Sequence, residues 1–399
     1  MIRLKLQDSK DIKPTKTLLE DNKWLNKTKK IENDNNQYHI YTTLKVLPIE
    51  LSNFQYDYYN EDEGNSSKKQ TIDSIVDAYN NDNKTNIKPP KRWSIYPPML
   101  LFNDSNILES NDNPKSLCEL LLENQQEVFG TNDLTHIAIN KPILETNNIM
   151  RKPLNILPIY GDFGPTLLSD DHSPTNQDFQ NAFWCHVIQN GIYQTWAPKY
   201  TMFSRGNIKE KKRILDEFKK LQGTVIIDFY CGIGYFSLSY LKNGGKLLCW
   251  ELNPWSIEGF RRSLEKQGYK YKIVKENEEF HLEHNINDYD AILFLESNEK
   301  IPWRLRNLPN NSLKLCHINL GLLPTSKPSW SIAKNLISEK AIREQDFKTI
   351  IHVHENVHVN DFEKMKLEIE SEFNGSVIAT EKIKTFAPDV WHVVFDVEL

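Results

Sequence analysis

The sequence predicts a doubly wound, Rossmann-like α/β domain preceded by a smaller α+β domain. Three observations predict it. From Phe179 onward, apolar strand-like runs alternate with helical stretches. "DFYCGIGYFSLSYL" (Asp228–Leu241) reads as the end of a buried strand, a tight glycine turn and the start of a helix. The last two strand-like runs are joined by "TFAPD" with no helix between them, which places a hairpin at the end of an otherwise parallel sheet.

Residues 1–170 form the predicted N-terminal α+β domain. "HIYTTLKVL" (His39–Leu47) reads as a strand, and Ile72–Tyr79 and Ser116–Phe129 read as helices. "YYNEDEGNSSKKQ" (Tyr58–Gln70) and "NNDNKTNIKPPK" (Asn80–Lys91) read as exposed loops. "SDDHSPTNQ" (Ser169–Gln177) is linker-like and divides residues 1–170 from the second predicted domain, 171–399. In that second part strands are expected at Thr224–Phe229, Lys246–Leu252, Tyr271–Lys275, Asp290–Leu295, Lys314–Leu320, Thr349–His354, Val377–Lys384 and Trp391–Val397. Helices are expected at Asn207–Leu221, Tyr235–Leu241, Pro254–Gln267, Trp330–Ser338 and Asp361–Phe373. A terminal hairpin of this kind belongs to S-adenosylmethionine-dependent methyltransferases and not to nicotinamide folds. The count is one strand more than that fold has.

Composition sets the frame. The chain has 399 residues, 39% hydrophobic and 26% charged, and no apolar run long enough to span a membrane. Its start lacks the apolar core of a secretory signal, and its five cysteines are scattered in no metal-ligand spacing, so a reduced, cytoplasmic compartment is expected. The net charge of −5 gives no global basic field. Local basic stretches occur at Asn22–Lys30, Lys88–Trp93 and Ser204–Lys220, each of which by itself reads first as a solvated helix face or loop.

The glycine turn points to a nucleotide-like ligand. Asp228 ends its strand, and Gly232 and Gly234 let backbone approach a ligand closely. A helix beginning at Tyr235 would offer free N–H groups to a carboxylate. A dinucleotide fingerprint wants a third glycine where this chain has Ser237, so the spacing fits S-adenosylmethionine better, with a bare strand–helix turn as the bland alternative. Glu251 ends the next strand, where an acid can accept from both ribose hydroxyls. Glu276 and Asn277 end the third and can read an adenine amino group. Cys231 lacks a neighbouring base and reads as packing. His352 and His354 share a strand face without a third ligand in view, so no metal is expected.

Five stretches carry a family resemblance: Phe183–Ile214, Asp228–Leu241, Cys249–Leu264, His317–Trp330 and Thr385–Leu399. Together they resemble the eukaryotic tRNA wybutosine-synthesising protein 2 family, over essentially Phe179 to the C-terminus. The resemblance implies a class I S-adenosylmethionine-dependent methyltransferase fold and an aminocarboxypropyl transfer to the 4-demethylwyosine base of tRNA(Phe). Its partner would be the anticodon stem-loop, with residues 1–170 helping to hold the tRNA. It also implies cofactor contacts at Ser204 and Lys211, the ribose acid at Glu251, and an adenine pair at Glu276–Asn277, where the family has Asp–Asn. Asn319-Leu320-Gly321 stands where the related guanine-N1 methyltransferases carry Asn-Leu-Pro, and Asn319 is the catalytic candidate. On this alignment Asp290–Leu295 is the extra strand. The helix Lys209–Lys220, Arg261 and Arg262 are candidate phosphate contacts, and Trp196 or Trp255 a candidate stacking platform. A tRNA methyltransferase on the same scaffold and a catalytically silent RNA-binding subunit are the competing readings.

Overall fold

The computed structural model describes residues 1–34, 37–59, 70–103, 115–140, 148, 153, 156–166, 173–344 and 347–399. The loop expected at Tyr58–Gln70 lies largely outside the described residues, and the linker at Ser169–Gln177 lies partly outside them. The chain forms two compact units, Met1–Lys69 and Gln70–Leu399.

In the first unit, β1 (Ile2–Leu6), β2 (Glu32–Asp34), β3 (Gln37–Tyr41) and β4 (Gln55–Tyr58) form an antiparallel sheet in the order β2-β3-β1-β4. The alternation in "IRLKL" turns Ile2, Leu4 and Leu6 inward onto Leu19 of the helix Ile12–Asp21. Arg3, on the other face, is ion-paired to Asp57 across the sheet.

The second unit begins with the helix Ile72–Asn83, capped reciprocally by Thr71 and Ser74. A four-stranded sheet follows, β5 (Trp93–Tyr96), β6 (Met99–Phe102), β7 (His136–Asn140) and β8 (Ile156–Tyr160), in sequence order. Its core draws on Leu100, Phe102, Ile137 and Leu121. This small sheet, grouped with the N-terminal domain on sequence, belongs to the second unit. Next comes a hairpin, β9 (Cys185–Gln189) and β10 (Ile192–Trp196), turned by Asn190 and Gly191, both at positive φ.

The large sheet holds β11 (Val225–Asp228), β12 (Lys246–Glu251), β13 (Tyr271–Lys275), β14 (Ala291–Leu295), β15 (Leu315–Leu320), β16 (Ile350–His358), β17 (Ser376–Ala387) and β18 (Val390–Glu398). Their order is β13-β14-β12-β11-β15-β16-β18-β17, parallel up to β16 and antiparallel through the terminal hairpin. Both faces are covered, as near-continuous apolar strands require. The helices Ser237–Lys242 and Pro254–Lys266 cover one face through Leu238, Ile257 and Phe260. Trp330–Lys340 and Phe362–Phe373 cover the other through Ala333, Leu336 and Phe373.

Ala291–Leu295, expected as the extra strand, stands inside the sheet: β14 lies directly beside β12 and is buried, whereas β13 takes the edge. The apolar run "AILFL" suits a position covered on both faces, and the half-exposed "YKIVK" suits an edge.

Candidate active site

The glycine turn follows β11 and leans on β12. Gly232 and Gly234 have φ of +55° and +81°, a region L side chains rarely adopt. A Cβ on Gly232 would sit 2.7 Å from the Tyr235 ring, and one on Gly234 2.6 Å from the Phe260 ring. The Cys231 N–H donates to the Trp250 carbonyl (3.0 Å), and the Gly234 and Tyr235 N–H groups donate to the Cys231 carbonyl (2.8 and 3.2 Å). Those two amides are therefore spent inside the turn, and the helix starts at Ser237 rather than at Tyr235 as expected.

Two carboxylates flank the turn with different commitments. Asp228 is buried: one oxygen accepts from the Ser237 hydroxyl (2.5 Å), the other from the Asn319 amide (3.1 Å) and the Tyr230 N–H (3.2 Å). Burial raises its pKa and these bonds oppose the rise. Glu251 ends β12, and each of its oxygens takes one backbone N–H, from Gly232 (3.0 Å) and Asn253 (2.7 Å). Burial raises its pKa as well. Each Glu251 oxygen keeps a further lone pair, so the carboxylate can hold a diol while it fixes the turn.

Lys211 is buried beneath the turn. Its ammonium donates to Gln189 (2.9 Å) and Gln194 (2.6 Å) and lies 4.8 Å from the centre of the Phe203 ring. Burial lowers its pKa to about 7. The two glutamines come from the β9–β10 hairpin, which the sequence reading passed over although Asn190-Gly191 signals it. Ser204 accepts a hydrogen bond from the Lys384 ammonium (2.9 Å), which burial likewise shifts down. Asn319, buried at the end of β15, donates to Asp228 and shares its oxygen with His354 Nε2 (3.2 Å). A Cβ on Gly321 would stand 3.1 Å from the Asn319 amide nitrogen.

Glu276 and Asn277 are exposed at the end of the edge strand, and Lys300 lies 3.9 Å from Glu276. The strand beside Glu251 leads instead into Glu296, Ser297 and Asn298. Asn298 donates to the Phe229 carbonyl (3.0 Å), next to the glycine turn. Glu296 is buried against Arg304 (2.7 Å), which also clamps the carbonyls of Lys275, Glu276 and Glu278.

The candidate tRNA contacts change most. Trp196 is stacked on Phe203 and Trp255 on Tyr200, and both are buried, so neither offers a free platform. Arg261 and Arg262 are ion-paired to Glu258. On the basic helix, Arg213 is buried between Glu210 and Asp396, Lys209 pairs with Glu381, and Lys212 pairs with Asp216. His352 and His354 share a face as expected, bonded to His317 (3.0 Å) and His392 (2.9 Å) respectively.

The family described as "TRM5/TYW2 methyltransferase domain" matches residues 186–291, from β9 to the start of β14. The tRNA wybutosine-synthesizing protein 2 of Schizosaccharomyces pombe is 39% identical over 324 residues, covering 77% of this chain and 72% of that protein. The chain belongs to the tRNA wybutosine-synthesizing protein 2 family. The Saccharomyces cerevisiae member is 36% identical over 362 residues, covering 78% of this chain and 74% of its own. The solved structure of P. horikoshii TYW2 in complex with MeSAdo superimposes with a TM-score of 0.50 at 20% identity, covering 77% of this chain and 90% of that one. The shared fold is the Rossmann-like class I S-adenosylmethionine-dependent methyltransferase fold. The matched segment contains the glycine turn, Glu251, Ser204 and Lys211, and Asn319 lies beyond it.

Proposed function

We propose that this protein transfers the 3-amino-3-carboxypropyl group of S-adenosyl-L-methionine to the 4-demethylwyosine base, position 37, of tRNA(Phe). It is an S-adenosylmethionine-dependent tRNA transferase. One observation carries the reading: a glycine turn fixed by Glu251, with lone pairs left for a ribose diol, in a chain 36–39% identical to tRNA wybutosine-synthesizing protein 2 over most of its length.

The residues divide the work. Glu251 holds the ribose, Gly232 and Gly234 give backbone access, and Lys211 and Ser204 face the methionine end. Lys211 suits an anionic group, because its described partners are neutral amides and rings. Asp228 supports the site through Ser237 and Asn319. The adenine lies by Asn298, with Glu276–Asn277 on the edge strand further off. Bound S-adenosylmethionine supplies a sulfonium whose attached carbons are electrophilic. A bond forms between the base carbon and the γ-carbon of the methionine chain as the γ-carbon–sulfur bond breaks. The electron pair leaves with methylthioadenosine, and the base carbon's proton passes to solvent. Asn319 orients the base at the transfer point. Positioning of this kind supplies up to about 7–11 kcal/mol of a barrier.

Residues 171–399 carry the catalysis and residues 1–170 help hold the tRNA. The setting is the cytoplasm; among the described residues no helix is long and apolar enough to cross a membrane. The test uses tRNA(Phe) bearing 4-demethylwyosine and two labelled cofactors. Carboxylate label in the tRNA, with methylthioadenosine released, is the expected result. Methyl label in the tRNA, with S-adenosylhomocysteine released, would make the protein a methyltransferase. Cofactor binding with neither label transferred would leave a silent scaffold.

A further inference from the structure

Trp196 and Trp255, the stacking platforms expected from sequence, are both buried. An exposed ring stands elsewhere, at the tip of the terminal hairpin. Phe386 is 62% exposed. In the register of β17 with β18, Thr385 faces Trp391 and Ala387 faces Val390, so Phe386 falls at a bulge with no residue opposite it. Such a bulge re-aims a side chain out of the regular alternation of the strand.

The strand directions place that tip beside the mouth of the site. β16 runs parallel to β15, β18 turns back along β16, and β17 returns along β18. Phe386 therefore lies at the same sheet edge as Asp228, Glu251 and Asn319. β17 is three strands from β15, about 14 Å across the sheet. β16 continues from His352, the partner of Asn319, to His358, which is level with the hairpin tip and roughly 20 Å further along. The hairpin thus stands out past the end of β15 as a finger, with its tip roughly 25 Å from Asn319. That is too far for the base at the transfer point, so the ring meets a different nucleotide.

The surroundings favour RNA over an apolar protein partner. Lys384, two residues before Phe386, donates to the Ser204 hydroxyl (2.9 Å), and a Cβ on Gly206 would lie 2.6 Å from the Lys384 Cδ. The finger is packed in this way against Ser204–Gly206, next to the proposed methionine end. Arg205, exposed between them, donates to the Ser94 hydroxyl (3.1 Å). The described bond of each cation is to a neutral hydroxyl, so each keeps donors for a phosphate. An exposed ring with such cations nearby suits unpaired nucleic acid, whose bases stack and whose backbone is anionic.

We propose that Phe386 stacks on an unpaired base of the tRNA anticodon loop other than the one modified, and that this contact sets tRNA affinity. The assignment rests on the tRNA reading given above and adds to it a residue that holds the loop.

The test compares wild type with Phe386→Ala, Phe386→Leu and Phe386→Tyr on tRNA(Phe) bearing 4-demethylwyosine, at one fixed salt concentration. The readouts are Kd and KM for the tRNA, kcat, Kd for S-adenosylmethionine and thermal midpoint. The Ala and Leu variants should bind the tRNA about tenfold more weakly, the loss of one stacked base, with a matching rise in KM. The ring is on the surface, so the midpoint should hold and kcat and cofactor Kd should stay within about twofold. Phe386→Tyr should keep wild-type affinity. An abasic site moved through the other loop positions should find one at which wild type and Phe386→Ala bind alike. Unchanged tRNA affinity in the Ala variant, or no such position, would overturn the assignment. So would a Leu variant that binds like wild type, which would make Phe386 an apolar contact without stacking. A wild type that binds the tRNA but transfers neither label would sink the transfer reading alone, and the affinity ratios would still decide on Phe386.

Discussion

Replacing Lys211 by Met should stabilise the protein at low pH and weaken cofactor binding. In the fold Lys211 is buried, with amide oxygens and aromatic rings as its described partners, and burial draws its pKa from 10.5 to about 7. The folded pKa is thus below the unfolded one. Below pH 7 both states are protonated and the cost of burying the charge is fully present. Between pH 7 and 10.5 the unfolded state binds more protons, so stability climbs with pH; above 10.5 the cost is gone. The gap, 10.5 − 7 = 3.5, at about 1.4 kcal/mol per pH unit sets a ceiling of about 5 kcal/mol. In the Met variant Gln189 and Gln194 each lose a donor, which takes back about 1–2 kcal/mol apiece. Urea unfolding at pH 6 should therefore show the variant more stable by about 2 kcal/mol, and at pH 10 the sign should reverse. Calorimetric titration should show weaker S-adenosylmethionine binding, by about 30-fold for a lost charge-assisted bond. A variant equally destabilised at both pH values, with cofactor affinity intact, would refute the reasoning.

Gly234→Ala places a Cβ 2.6 Å from the Phe260 ring at φ +81°; it should lower stability by about 2–3 kcal/mol, read by thermal unfolding. Burial would raise the Asp396 pKa, but His352 and Arg213 outweigh it and hold the carboxyl well below its ordinary value. Its contribution is present above about pH 4 and is lost as pH falls through the folded value, so Asp396→Asn should cost about 3–5 kcal/mol at pH 7 and flatten the acid limb of a pH-dependent urea series. Asn298→Ala should raise the S-adenosylmethionine Kd about tenfold while Asn277→Ala leaves it nearly unchanged; the opposite ranking would return the adenine to the edge strand.

Most strands of the large sheet were legible as apolar runs between turn signals, whereas the edge strands β13 and β17 are half exposed. Asp228, Gly232, Gly234 and Glu251 were legible because they fall where strands end. What sequence order hid was order in space. β13 precedes β14 in the chain, yet β14 takes the place beside β12 and sends Glu276–Asn277 to the rim. The contrast between "AILFL" and "YKIVK" held that information. Pairing across the fold was hidden for a related reason: the helix Ile208–Glu217 looks basic alone, but Asp396 pairs with Arg213 from the terminal hairpin, a partner no local window contains. The β9–β10 hairpin was missed despite Asn190-Gly191, and with it the amides that hold Lys211.

The terminal hairpin is part of the site. Asn319 donates through Nδ2 to Asp228, so its Oδ1 must accept, and His354 must carry its proton on Nε2. His354 Nδ1 is then an acceptor, which requires the proton of His392 on Nε2. Burial keeps both rings neutral, lowering the pKa of His392 to about 3 and that of His354 well below its ordinary value. From His392 through His354 and Asn319 every bond therefore donates toward Asp228, which Ser237 meets as a donor from the other side, and this fixes which way the Asn319 amide faces. A second pair of histidines, His317 and His352, ends on Asp396 and Arg213 and ties the same hairpin to the helix that presents Lys211. Disturbing β18 at His392 would thus turn the Asn319 amide, while disturbing it at Asp396 would move Lys211. Asn319 and Lys211, the residues proposed for the transfer point and the cofactor's anionic end, are thus both tied to β18.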